Sequence, residues 1–261
     1  MTEFRDYLFV CGTPRSGTTA MARTLNCHPD IVIGIERFKR RYSKGELDDA
    51  GFRALFRKDR FFDFSTDDTN VSAETTFDKK VLLAKKKYDN AIYVGDKCPH
   101  LYRRLRFLRR TFLACRVVFM LRDPVHVARS WQIRADNPCD RWRNANDYKA
   151  AVKEWNASIR HVTTSIEMLR DDLMIVNYED LFVRRPEATI TAVLSRLHLD
   201  PAAHGTDDWR SSMMSFLSES RAIAASGRHV PDEVTDYVER NADFKAYEEL
   251  TRLADAHRPR A

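Results

Sequence analysis

The apolar run Tyr7-Leu8-Phe9-Val10-Cys11 passes without a gap into Gly12-Thr13-Pro14-Arg15-Ser16-Gly17-Thr18-Thr19, after which Met21, Ala22 and Leu25 fall at helical spacing. This order reads as a buried strand, a tight turn and a helix start. Unpaired backbone N–H groups and the helix dipole converge where such a turn meets its helix, so the segment is an anion cradle. Gly17 allows a close backbone approach or a positive φ, and Ser16, Thr18 and Thr19 add hydroxyl donors. His28-Pro29-Asp30 then stops the helix, because proline disfavours helix at the residue before it. The G-x-x-x-x-G frame is that of a nucleoside-triphosphate P-loop, but Gly17-Thr18-Thr19 stands where G-K-[ST] is expected. A kinase needs that lysine on the β- and γ-phosphates. Here the cation is Arg15, two residues before the second glycine, so the loop can hold a phosphate with its charge differently placed.

Further strands are predicted at Ile31–Ile33, Ala91–Val94, Arg116–Leu121 and Asp172–Tyr178. Helical patterns lie at about 101–113, 125–135, 145–170 and 187–197. Alternating strands and helices imply an α/β fold: a three-layer P-loop-type domain with a central parallel sheet of about five strands flanked by helices. The polar stretch 37–90 is helical in parts, with a Ser/Thr/Asp-rich loop at 65–72. No Pro/Gly/Ser-rich stretch divides the 261 residues, so a single domain is expected, with its core at about 7–200 and a helical C-terminal part at about 205–261.

Charge is unevenly spread. Residues 85–134 hold thirteen Lys and Arg against Asp89, Asp96 and Asp123, a local +10 in a chain whose net charge is +6. That field favours an anionic ligand. On the helix Leu101–Phe112, Leu101, Leu105 and Leu108 mark a buried face and the arginines a solvated one. A nucleic-acid partner therefore ranks last. Five cysteines (Cys11, Cys27, Cys98, Cys115, Cys139) without a C-x-x-C pair argue against a disulfide framework or structural zinc, and each reads as a small buried residue. No carboxylate or histidine cluster suggests a metal site. The longest central apolar run, Val117–Leu121, is too short to span a bilayer, and Met1–Asp6 has no signal-peptide plan. A soluble cytoplasmic protein is expected.

With these residues in view, the sequence resembles the sulfotransferases that use 3′-phosphoadenosine-5′-phosphosulfate (PAPS). Pro14-Arg15-Ser16-Gly17-Thr18-Thr19 resembles their 5′-phosphosulfate loop, Arg122-Asp123-Pro124-x5-Ser130 their 3′-phosphate segment, and Asn177-Tyr178-Glu179-Asp180-Leu181 their Y-E-D-L element. The three occur in order over about residues 7–200, and the likeness is greatest to the tyrosylprotein and heparan-type branches. The resemblance implies a sulfotransferase that moves a sulfuryl group from PAPS, as co-substrate without a metal, to an acceptor hydroxyl by in-line displacement. The residues themselves support a second anion site: Arg122 and Ser130 lie at a strand end opening into a helix, and Arg134 is four residues beyond Ser130 on the same helical face. The alternative is a P-loop nucleotide or small-molecule kinase whose lysine has migrated to Arg15.

The family places a base shortly after the second strand, where this chain has Glu36, a carboxylate able to take the acceptor proton. His100 is the rival, at the distance before Arg122 that the small-molecule branch uses. Asp96-Lys97-Cys98-Pro99 resembles the family element whose lysine faces the transferring group, so Arg15 and Lys97 are expected to stabilise charge on the sulfuryl group and the departing phosphate oxygen. Gly227 and Arg228, in Ser226-Gly227-Arg228, are the weak match to the closing loop of the donor site. Trp131 and Tyr178 are candidates for stacking on adenine, and Tyr178 equally reads as core. Arg37, Lys39, Arg40, Arg41 and Lys44 stand close to Glu36 in sequence and would suit an anionic acceptor. Metabolite, glycan and peptide hydroxyls all remain open.

Overall fold

The computed structural model describes residues 6–44, 47–65, 67–69, 79–140, 142, 144–200, 208–225 and 231–256. Five strands, β1 (Asp6–Gly12), β2 (Ile31–Ile35), β3 (Tyr93–Lys97), β4 (Cys115–Leu121) and β5 (Leu173–Asn177), form one parallel sheet in the order β2-β3-β1-β4-β5. Side chains alternate across it, as a period of two requires. Leu8, Val10, Ile31, Ile33, Val118, Met120, Met174 and Val176 enter one core, and Phe9, Cys11, Val32, Val94, Val117, Phe119 and Leu121 the other.

Four strands fall where they are predicted to within two residues at each end. The third is displaced: it begins at Tyr93 and runs through Gly95-Asp96-Lys97, which read as polar but are buried to the last residue. Gly95 is there because β3 touches β1 too closely for a side chain; a Cβ would lie 1.6 Å from the Leu8 carbonyl oxygen. Asp96 and Lys97 are buried because each finds charged or backbone partners at the sheet's end.

The helices are α1 (Thr18–Leu25), α2 (Lys39–Lys44), α3 (Asp49–Ala54), α4 (Lys58–Phe61), α5 (Lys79–Lys87), α6 (Leu105–Thr111) and α7 (Pro124–Ala135) in the first half. Then come α8 (Tyr148–Thr163), α9 (Ile166–Leu169), α10 (Pro186–Arg196), α11 (Asp208–Ala225), α12 (Asp232–Asn241) and α13 (Phe244–Ala256). The predicted helix 145–170 is therefore two. Thr164 Oγ1 and Ser165 Oγ bond back to the carbonyls of Arg160 (3.0 Å) and His161 (2.7 Å), which competes with helix propagation, and Arg170 at φ 42° ends the run. The predicted helix 101–113 opens with 3-10 turns over Pro99–Arg104 before α6, with Leu101, Leu105 and Leu108 buried.

Met21, Ala22 and Leu25 of α1, Ile190, Val193 and Leu194 of α10, and Met213 and Leu217 of α11 cover one sheet face. Val127 and Ala128 of α7, Val152, Trp155 and Ile159 of α8, Val234 and Val238 of α12 and Leu250 of α13 cover the other. Cys11, Cys98 and Cys115 are buried as expected, whereas Cys27 is half-buried and Cys139 exposed; all five are free thiols. Among the described residues no helix is long and apolar enough to cross a membrane.

After β1 the chain moves towards the β2 edge, and after β4 towards the β5 edge. The loops leaving these two neighbouring strands thus diverge, the topology that in open α/β sheets makes a ligand crevice beyond the strands' carboxyl ends.

Candidate functional site

The turn between β1 and α1 lines one side of that crevice. Ser16 N–H donates to Thr13 O at 2.9 Å, folding the loop back on itself, and Arg15 takes a left-handed backbone at φ 76°. Gly17 caps α1 at φ 87°, and a Cβ there would meet the Tyr178 ring at 2.5 Å. Conformation and packing thus both demand glycine. Pro14, Ser16 and Thr18 are buried and Thr19 half-buried. Ser16 Oγ has no hydrogen-bond partner although Ser16 is only 1 % exposed. An orphaned buried hydroxyl in a loop of backbone donors fits an anionic guest.

The β4 exit supplies the opposite wall. Asp123 caps α7 through the N–H groups of Val125 and His126, with Pro124 in the first turn, and so fixes where Arg122 and Ser130 emerge. Arg122 Nη1 donates to Arg15 O at 2.7 Å, and its guanidinium lies 4.0 Å from the Tyr178 ring centroid. Arg15 Nε donates to Ser130 Oγ at 3.1 Å. Pro14, Arg15, Arg122 and Ser130 therefore form one contiguous group, closed by Trp131 Nε1 donating to Pro14 O at 2.9 Å. Desolvation, then the like charges of Arg134 and Arg122, hold Arg15 below its ordinary pKa, and Asp140 and Tyr178 only partly offset this. Guanidinium groups crowd here beyond what their carboxylates neutralise.

Arg134 is already paired. Its Nε and Nη2 fork onto Asp140 at 2.8 and 2.7 Å and its guanidinium lies over Trp142, so it reaches Arg15 through its field and not as an open fork. The two adenine candidates are also occupied. Trp131 is buried edge-on to Trp142. Tyr178 is buried between Gly17, Phe182 and the Arg122 guanidinium.

At the neighbouring strand ends, Ile35 of β2 pairs with Lys97 of β3. Glu36 follows at φ 54°, its N–H donating to Lys97 O at 2.7 Å. Lys97 Nζ lies 3.0 Å from Glu36 Oε1, and Lys39 Nζ 2.5 Å from Oε2. Burial raises the Glu36 pKa, but the charge of Lys97 and the bond and charge of Lys39 outweigh it and hold the carboxyl below its ordinary value. Lys97 is 1 % exposed, against 22 % for the Glu36 side chain, so the carboxylate is the more accessible of the two.

Two residues named in the sequence take parts it did not assign. Asp96, fully buried, accepts the N–H groups of Arg37 and Phe38, each at 2.9 Å, and so shapes the turn that presents Glu36. Lys39 is the second cation on Glu36. The signals were present: a charged pair inside an apolar strand, and a lysine three residues from a carboxylate. The expectation for Arg37 is corrected. It is 1 % exposed and bonded to Phe61 O (2.6 Å), Arg60 O (3.1 Å) and Asp68 (3.1 Å), and Asp68 also holds Arg41 and Arg60. These arginines build the loop under Glu36 instead of lining an acceptor surface. His100 pairs with Glu154 at 3.3 Å, whereas Glu36 pairs with Lys97 and Lys39. Gly227 and Arg228 lie outside the described residues.

Comparison with known proteins places this geometry in a group. A family model described as "Sulfotransferase family" matches residues 7–203. Protein-tyrosine sulfotransferase 1 of Danio rerio is 26% identical over 208 residues, covering 74% of this chain and 53% of its own length. That of Mus musculus is 28% identical over 208 residues, covering 74% and 51%. The chain thus spans about half the length of these curated relatives. Among solved structures, the sulfotransferase STF1 of Mycobacterium tuberculosis superposes with a TM-score of 0.52 at 17% identity, covering 90% of this chain and 76% of that one. The sulfotransferase domain of the curacin biosynthetic pathway does so at 0.51 and 16%, covering 90% and 97%. These structural likenesses speak for the fold alone. A parallel five-stranded sheet, an arginine-bearing turn after its central strand and a family match over most of the chain lead to one conclusion: this protein belongs to the sulfotransferase family.

Proposed function

We propose that the chain transfers a sulfuryl group from 3′-phosphoadenosine-5′-phosphosulfate to an acceptor hydroxyl, with Glu36 as general base and no metal. The observation that carries this reading is the convergence of Arg15, Ser130 and Arg122 around a loop whose Ser16 hydroxyl is buried and unpartnered. PAPS supplies an activated sulfuryl group on a leaving group that carries phosphates at both ends. Ser16, Gly17, Thr18 and Thr19 would hold the 5′ end through backbone N–H groups and hydroxyls. Arg122 and Ser130 would hold the 3′-phosphate, with Arg134 adding charge from its place on Asp140. Arg122 Nε, buried without a partner, is a further donor suited to that phosphate.

Arg15 and Lys97 stabilise the negative charge that develops as the bond to the phosphate oxygen breaks, by fixed electrostatics. Glu36 is ionised at neutral pH, because Lys97 and Lys39 keep its pKa low. A carboxylate in that state can accept the acceptor proton on Oε1 or Oε2. Competition by an anion for Lys97 releases Oε1 and makes it more basic, so the base strengthens only when the donor site is filled. The names of the curated relatives favour a tyrosine hydroxyl on a peptide among the acceptor classes.

The test is a binding and turnover experiment. Adenosine 3′,5′-bisphosphate at a hundredfold excess over its Kd should stabilise the protein by about 2.7 kcal/mol. Radiolabelled PAPS should transfer label to hydroxyl acceptors, and Arg15→Ala and Glu36→Gln should each abolish most of it. Magnesium-dependent ATP consumption with no response to the bisphosphate would replace this reading by the kinase one.

A further inference from the structure

We propose that one turn of α8, carrying Glu154, Trp155 and Ser158, is a positioning device that sets the spacing of the donor pockets and so selects nucleotides phosphorylated at both ends. This deepens the functional reading above and rests on it. The three residues reach three different loops. Ser158 Oγ lies 2.7 Å from Thr13 Oγ1 in the turn after β1, and both residues are buried. Ser158 Oγ donates to Trp155 O at 2.8 Å, which leaves the Thr13 hydroxyl as donor in the pair. Trp155 Nε1 donates to Arg122 O, 2.9 Å away in the segment after β4. Glu154 receives Tyr102 OH and Arg103 Nη2, with His100 Nε2 at 3.3 Å, all in the segment after β3.

β3, β1 and β4 are consecutive in the sheet, so the exit segments of three adjacent strands are tied to three residues within one five-residue stretch of helix. Packing alone does not require this. Trp155 is 1 % exposed and fills the core with its ring, yet its indole N–H is spent on the carbonyl of Arg122. Ser158, fully buried, would be better replaced by alanine if it served only to fill space. Both polar groups instead fix backbone or side chain in the two walls of the crevice. Because Trp155 and Ser158 are three residues apart on one rigid helix, the wall carrying Arg122 cannot shift relative to the loop carrying Arg15 without breaking a buried bond. A ligand with one phosphate gains little from that rigidity. A ligand with phosphates at two fixed positions gains the full benefit of pre-organised pockets.

Dissociation constants for adenosine 3′,5′-bisphosphate and adenosine 5′-monophosphate, measured by calorimetry beside the melting temperature of each free protein, test this. In the native protein the bisphosphate binds tighter. In Trp155→Phe and Ser158→Ala that preference falls about tenfold, the effect of losing the one hydrogen bond by which each residue holds its loop. Thr13→Ser, which keeps the hydroxyl, retains it. Ser158→Ala removes a single oxygen and keeps the test available if Trp155→Phe does not fold. A preference ratio unchanged in the variants, with only melting temperature or both affinities lowered, overturns the inference and leaves α8 as scaffold. Failure of the native protein to prefer the bisphosphate overturns the functional reading and this inference with it.

Discussion

Glu36 and Lys97 are locked to each other twice: the Glu36 N–H donates to the Lys97 carbonyl at 2.7 Å, and Lys97 Nζ returns to Glu36 Oε1 at 3.0 Å. The backbone bond extends the β2–β3 ladder one residue beyond Ile35, and the side-chain bond crosses the same gap. Glu36 takes φ 54° to achieve this, a conformation that costs on the order of 1–3 kcal/mol for a residue other than glycine. The carboxylate is thereby aimed by the sheet and not by a mobile loop.

Replacing that carboxylate separates binding from chemistry. Glu36→Gln should lower kcat by about 10²- to 10⁴-fold, the range for loss of a general base, with affinity for adenosine 3′,5′-bisphosphate retained or raised, since Lys97 loses its competing carboxylate. Because Lys97 and Lys39 outweigh burial and hold Glu36 below its ordinary 4.5, the acid limb of kcat/KM for the donor, which reports the free protein, should lie below pH 4.5. Lys97→Met should move that limb upward. A limb between pH 5 and 8 that survives in Glu36→Gln would point to a histidine base, and His100 would be the first candidate.

Ser16 offers a change with opposite effects on stability and binding. Its hydroxyl is buried and unpartnered, and such a group costs about 1–3 kcal/mol. Ser16→Ala should therefore leave the melting temperature of the free protein unchanged or raise it. If the hydroxyl serves an anion, the same variant should bind adenosine 3′,5′-bisphosphate about tenfold more weakly. A fall in stability with affinity intact would mean that the hydroxyl has a structural partner.

The strand-turn-helix around Gly12–Thr19 and the Arg122–Ser130 segment were legible because their chemistry is local: apolar runs, glycine and proline punctuation, cations at strand ends. The end of β3 was misread because Gly95, Asp96 and Lys97 owe their burial to other strands. Leu8 leaves Gly95 no space, while the turn after β2 supplies the partners of the charged pair. Arg37 was misread for the same reason, since its partners Phe61 and Asp68 lie more than twenty residues along the chain. Arg134 and Trp131 sit at the predicted helical positions, yet what each touches depends on Asp140, Trp142 and Pro14. Periodicity gives the face of a helix; it does not say which neighbour has already claimed the side chain.

Gly17 is required on two independent grounds, and one substitution tests both. Gly17→Ala places a methyl 2.5 Å from the Tyr178 ring on a backbone at φ 87°. Tyr178 cannot retreat without disturbing Phe182 and the Arg122 guanidinium stacked on it. The variant should lose on the order of 1–3 kcal/mol of stability, the cost of an overpacked core site. Because Tyr178 carries Arg122, its affinity for the bisphosphate should fall further than its affinity for adenosine 5′-monophosphate. Chemical denaturation and calorimetry on the same preparation measure the two effects separately.

Asp96 makes the sheet end sensitive to pH in a direction opposite to most carboxylates. Burial pushes its pKa up from 3.8 to about 6, against the opposing pull of the Phe38 and Arg37 N–H groups and of Lys97. Its folded pKa therefore lies above its unfolded one. Between those values the folded state binds more protons, so stability from this group rises as pH falls from about 6 to 3.8 and is lost again above 6. The whole shift corresponds to on the order of 3 kcal/mol. Asp96→Asn removes the titration while keeping one acceptor for the turn that presents Glu36. Denaturation free energies of the native protein and Asp96→Asn, measured from pH 7.5 to 4, should diverge in favour of the native protein as pH falls below 6. Parallel curves across that range would show that Asp96 is ionised throughout, held by Lys97 and the two backbone donors more firmly than burial opposes.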